Sequence, residues 1–211
     1  IGRSRYLAAD FIGRQELAVE WLFHEFTAEK ILAHKRAAGG AVAAAEERDG
    51  RYEKILLSLL SALSDIPGIS ASDLEGTTEL LLEQCPQVTA GAIDLLKTWC
   101  EDPARVREGM SLLKKLTLER PTIRNRTLET LLGFTHHEEA YIRDPAVRLT
   151  TQKLFQGKNS SDDMDVEIDG AENDRAVVQS KCRQECSEKI RAYASWSLGS
   201  LIGEEASAEF E

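Results

Sequence analysis

Aromatic side chains are scarce in this 211-residue chain, at 6% of the total, and there are only 5 prolines. Strands draw on aromatic and β-branched residues, so this scarcity counts against a sheet. The abundant Leu, Ala, Glu and Arg lose little side-chain freedom on a helix. No uncharged run approaches the roughly 20 residues needed to span a bilayer; the stretch from Ile55 to Ser64 is typical of the longest. Four cysteines (Cys85, Cys100, Cys182 and Cys186) fit no disulfide framework and read as reduced, mostly buried thiols of a cytosolic or nuclear protein. No Gly-rich phosphate loop follows a strand, and no Gly-x-Ser-x-Gly elbow or Ser/His/Asp or Cys/His order stands out, so the expectation is a protein that is not an enzyme. The chain opens at Ile1 with neither a methionine nor a charged-then-apolar leader, and reads as a domain of a larger protein without a secretion signal.

At 42% hydrophobic and 29% charged residues, the chain can bury a real core. Its net charge is −10, and from Gly157 to Asp174 seven acids face Lys158 alone. A phosphate backbone would be repelled unless a local basic face outweighed that total. The tract 157–174 has too few large apolar residues to offset the entropy of ordering, so it is expected to be a flexible insert. The segment 37–49, with Gly39-Gly40 and an Ala/Glu mixture, is expected to be a second one.

Elsewhere the apolar residues recur at three- and four-residue steps. Leu17, Trp21, Leu22, Ala28, Ile31 and Leu32 form one stripe, and Tyr52, Ile55, Leu56, Leu59, Leu60 and Leu63 form another, ended by Pro67-Gly68. Ser72 and Glu75 make a capping box, and Thr89 caps the following helix. Asp102-Pro103 supplies a cap and a first-turn proline. An interior Pro145 would cost about 3 kcal/mol, which puts the start of its helix near Asp144. The expected pairs are 15–34 with 51–64, 73–84 with 90–101, 103–119 with 122–134, and 144–156 with 176–202. That is an all-α solenoid of about four HEAT/ARM-like antiparallel helix pairs, a single helical-repeat domain over 1–211.

The segment Ile142-Arg143-Asp144-Pro145-Ala146-Val147-Arg148-Leu149 looks like the start of a HEAT second helix. Leu17-Ala18-Val19-Glu20-Trp21-Leu22-Phe23-His24-Glu25-Phe26 and Tyr52-Glu53-Lys54-Ile55-Leu56-Leu57-Ser58-Leu59-Leu60 resemble the middle region of the symplekin family. Cys100-Glu101-Asp102, Gly109-Met110-Ser111-Leu112-Leu113, Glu119-Arg120-Pro121 and His136-His137-Glu138 follow in that family's order and near-spacing, so the resemblance covers roughly residues 13 to 155. Gly39-Gly40 and the acidic tract lie outside its pattern. The resemblance implies a nuclear, non-catalytic scaffold of the machinery that cleaves and polyadenylates messenger RNA precursors. Its implied partners are the metallo-β-lactamase endonuclease subunit, that subunit's inactive partner, and a cleavage-stimulation subunit.

Several constellations offer residue types used in chemistry. His136-His137 with Glu138-Glu139 offers metal-ligand types, but neighbouring helical residues point about 100° apart. Cys182 and Cys186 share a helix face without a second pair at finger-like spacing, so buried structural cysteines are expected. Asp165-x-Glu167-x-Asp169-Gly170 imitates an EF-hand start, yet its twelfth position is Ala176 where a bidentate Glu belongs. No metal and no cofactor is expected. Ser160 stands three residues before Asp163, an acid-directed phosphorylation pattern. Trp21, Trp99 and Trp196 sit on apolar stripes, where core packing is expected, with a partner anchor as the alternative. Arg120, Arg124, Arg126, Arg143 and Arg148 supply the one local density of arginine, and with it an alternative reading as an RNA-contacting helical repeat. A generic adaptor solenoid outside RNA processing is the third reading.

Overall fold

In a computed structural model, the described residues are 2–8, 10–38, 50–66, 70–155 and 180–197. The fold class is the expected one: these residues form an all-α helical-repeat arrangement, without a strand among them. The chain divides into two compact units, residues 1–112 and 113–211.

The first unit is built around one helix. Its elements are α1 (Gly2–Ala8), α2 (Phe11–Ala37), α3 (Arg51–Ser64), α4 (Ala71–Gln84), α5 (Ala90–Glu101) and the start of α6 (Val106–Glu119). Helix α3 spans the segment its period predicts and packs against α1, α2, α4 and α5. Leu56, Leu59, Leu60 and Leu63 are wholly buried there, each removed from water to a gain of about 1.5–3 kcal/mol. The expected pair of α2 with α3 forms, whereas α4 and α5 each lean on α3.

Polar groups fix how α3 and α5 begin. Gly50 enters α3 with a φ of +69°, a left-handed conformation that suits glycine. The Glu29 carboxylate of α2 accepts the Tyr52 N–H at 2.8 Å, and Glu25 of α2 pairs with Arg51 at 3.3 Å, so two acids serve the donor-rich N-terminus of α3. Glu53 in turn accepts the Gly91 N–H at 3.0 Å in the first turn of α5, beside the Thr89 cap that accepts from Ala92. Helix α2 is consequently rotated from the phase its hydropathy predicts. Phe11, Ala18, Leu22 and Glu25 are buried, while Leu17 and Ile31 face solvent.

Two boundaries also shift. Ser70, not Ser72, caps α4, its hydroxyl accepting from the Asp73 N–H at 3.1 Å; Ser72 lies in the first turn and bonds to the Ser70 hydroxyl at 3.0 Å. Asp102 closes α5 and holds a turn by accepting from the Ala104 N–H at 2.9 Å, so α6 starts at Val106 rather than at Pro103.

In the second unit the end of α6 meets α7 (Arg124–Phe134), which packs on α8 (Ala140–Arg148). The hydroxyls of Thr117 and Thr127 meet at 2.9 Å in the interior, each held by a backbone carbonyl one turn back. Helix α8 begins at Ala140, so Pro145 lies inside it, contrary to the expected start at Asp144. Starting early buries Ile142 together with Ala146, which offsets the one backbone bond that proline cannot make. After α8 the backbone winds on as a π-helix through Leu149–Phe155, where Thr150 donates its hydroxyl to the Ala146 carbonyl at 2.8 Å. Residues 180–197 form α9, which lies along α7 as well as touching the end of the α8 extension.

Candidate functional site

The five arginines do not share one role. Arg124 points inward: its Nε donates to the Thr117 carbonyl at 3.0 Å and its Nη1 meets Glu185 of α9 at 2.6 Å. Arg143 donates Nη1 to the carbonyls of His137 and Glu138 at 3.3 and 3.1 Å, and its Nε stands 3.6 Å from Asp144. Both are spent on holding turns and helices together. Arg126 and Arg148 are exposed, and Arg120 is half-buried in the turn that ends α6. Arg124 and Arg126 leave α7 some 200° apart, as two residues on a helix must.

The histidine pair splits in the same way. His137 turns back on its own loop, its Nδ1 accepting the Glu139 N–H at 3.1 Å. His136 faces α9, with Tyr193 Oη 3.3 Å from Nδ1 and Ser197 Oγ 3.3 Å from Nε2. The His136 and Tyr193 rings meet edge to face at 5.5 Å, and Trp196 lies 5.8 Å beyond Tyr193. Trp196 is 66% exposed, so the core position expected for it is corrected to a surface one. Trp99 is buried and Trp21 half-buried. The ledge of His136, Tyr193 and Trp196 is the feature that sequence reasoning missed, because its members come from the turn after α7 and from α9, about 60 residues apart. Aromatic surface of this kind, apolar on its face and polar at its rim, is what protein contacts use as anchors.

All four cysteines are buried, and none is joined in a disulfide. Burial, with the Glu101 charge adding to it, pushes the Cys100 thiol up to about 12. Burial raises Cys186 to about 11, assisted by the neighbouring Cys182 thiol that shares its helix face. No cluster of three or more His, Cys, Asp or Glu side chains able to hold a metal ion occurs among the described residues. Ser160, the EF-hand-like run from Asp165 and the acidic tract all lie outside the described residues, as do residues 39–49 of the first expected insert. No helix among the described residues is long and apolar enough to cross a membrane.

The raised thiols make stability depend on pH. An unfolded cysteine loses its proton near pH 9, whereas folded Cys100 and Cys186 keep theirs up to pH 11 or 12. Above pH 9 the folded state therefore binds more protons than the unfolded one, and stability falls as pH rises. Each thiol contributes a loss of about 1.4 kcal/mol per pH unit over that window. Urea midpoints measured from pH 8 to 10.5 should fall, and should fall less in a Cys100→Ala variant. A flat wild-type profile would mean that the thiols ionise freely in the folded state.

No protein-family model matches this chain, and no solved structure matches it.

Proposed function

We propose that this chain is a non-catalytic, nuclear scaffold of the machinery that cleaves and polyadenylates messenger RNA precursors. Its helix surfaces hold other subunits: the metallo-β-lactamase endonuclease, its inactive partner and a cleavage-stimulation subunit. The reading rests on one conjunction. The segment resembling the symplekin family, roughly residues 13 to 155, runs from α2 to the end of the α8 extension, and so falls on packed helices within each of the two units. Packed helix pairs of this kind offer surfaces for protein partners. The ledge around Trp196 is the anchor we assign to one of them.

The test is capture from nuclear extract on the 211-residue chain, beside a Trp196→Ala variant. The expected result is recovery of the named subunits by the parent chain. The variant, altered only at a surface side chain, should keep its helical circular dichroism and retain at least tenfold less of the subunit that uses the ledge, as loss of a hot-spot tryptophan does. A folded parent chain that retains none of these subunits refutes the assignment to this machinery and leaves a generic adaptor.

A further inference from the structure

Helix α2 has an outer face that the core does not account for. Opposite the buried side, Leu17, Phe23 and Ile31 are 57%, 48% and 49% exposed. The charges on the same face are sorted along the helix. Exposed Glu16 and Glu20 stand in its first half; exposed Lys30, His34 and Lys35 stand in its second. Glu16 and Glu20 are one turn apart, a like-charge spacing that costs an isolated helix a few tenths of a kcal/mol. No ion pair among the described residues takes either carboxylate. The Lys30 ammonium lies over the Phe26 ring at 5.1 Å and meets no acid among those pairs. The helix dipole explains acids and bases only in the first and last turns, and Glu20 and Lys30 lie well inside both.

One symmetry operation relates these features. A twofold axis level with positions 24 and 25 of α2 lays a second copy of the helix antiparallel on the first. It then places Leu17 over the second copy's Ile31, Phe23 over its Thr27, Glu20 against its Lys30 and Glu16 against its His34. Each contact is made twice, as a twofold interface requires. Apolar residues meet apolar or neutral ones, and acids meet bases, along about 27 Å of helix at 1.5 Å per residue. We infer that the outer face of α2 is a docking surface for a second copy of this chain, in an antiparallel pair about that axis.

One helix against one helix is a small interface, of the size class of weak, transient associations. Sedimentation equilibrium of the whole chain through the micromolar range should therefore show the 23.4 kDa species giving way to one of twice that mass. Glu20→Lys and Lys30→Glu should each raise the dissociation constant about tenfold or more, because each sets two like-charged pairs across the interface. A chain carrying both substitutions should regain the parent affinity. The two positions lie about 15 Å apart along one helix, so that rescue can only act between copies. Three outcomes overturn the inference: a monomer at every concentration, which would leave the face to a different protein's helix; a dimer indifferent to both substitutions, which would place the contact elsewhere; or a double variant as weak as either single one.

Discussion

Gly109→Ala is expected to destabilise the protein by about 1–3 kcal/mol, the range for an overpacked core, and to lower the melting temperature by roughly 2–10 °C. In most helix interiors the same change stabilises, because glycine gives up about 1 kcal/mol to alanine there. Gly109 is the exception because α6 passes α5 at backbone distance. A Cβ at Gly109 would sit 2.8 Å from Cys100 Sγ, 2.9 Å from the Cys100 backbone nitrogen and 3.2 Å from the Leu96 carbonyl oxygen. A flexible side chain could swing away, but a backbone nitrogen and carbonyl cannot, so the two helices must move apart. That loosens the packing of Leu96, Trp99 and Met110, all buried beside the crossing. Gly76 on α4 supplies the control, since it is exposed and nothing stands within 4 Å of the site for its Cβ. Gly76→Ala should gain about 0.5–1 kcal/mol. Chemical denaturation of the two variants in parallel should thus give shifts of opposite sign. A gain in both would mean that α5 and α6 do not approach so closely.

The sequence carried the helices more faithfully than the faces they present. Helix α3 is bounded as its leucine period predicts, since every residue on its buried side is apolar and a hydropathy reading needs no more. Helix α2 breaks that rule. Its inner face includes Glu25, 5% exposed, and Glu29, both spent on the start of α3. A pattern that counts carboxylates as surface must rotate the helix away from them, and so it places Leu17 and Ile31 inside. Position 145 shows a second limit. Proline has a known local cost, but the burial of Ile142 in a helix that packs on α7 is a tertiary gain that no local rule counts, and here it prevails. At α4 both Ser70 and Ser72 stand three residues before an acid, so the local motif could not choose between them. The arginines were legible as a cluster in sequence and illegible as geometry. Nothing in the string distinguishes Arg124, whose side chain is 11% exposed, from Arg126 on the open side of the same helix.

Arg124→Ala should release α9 while leaving the first unit folded. The guanidinium joins two elements of the second unit, donating to the Thr117 carbonyl at the end of α6 and to Glu185 on α9. Glu185 is about half exposed, so solvent screens its share of the attraction. The Thr117 carbonyl also gives up a charge-assisted hydrogen bond of about 1.5–3 kcal/mol, but that bond joins α7 to α6 and falls on the second unit's stability, leaving the Glu185 pair as the tie to α9. The Cys182 thiol donates to that same carbonyl at 3.7 Å and to the Leu118 carbonyl at 3.5 Å, so the bond lost lies beside the buried thiols. Cys182 and Cys186 are 2% and 0% exposed, and reach solvent only when α9 lifts. A cost of up to about 1 kcal/mol to docking, the upper end for a solvent-screened pair, multiplies the lifted population up to roughly fivefold, and alkylation of both cysteines at neutral pH should accelerate by that factor. Hydrogen exchange in residues 180–197 should rise with it. Cys100, in the first unit, serves as the internal reference, because its alkylation reports the opening of α5 and α6. Faster labelling at Cys182 and Cys186 with an unchanged rate at Cys100 would locate the effect in α9. Equal acceleration at all three would instead make Arg124 a determinant of global stability, and no acceleration at any of them would show that α9 is held without it.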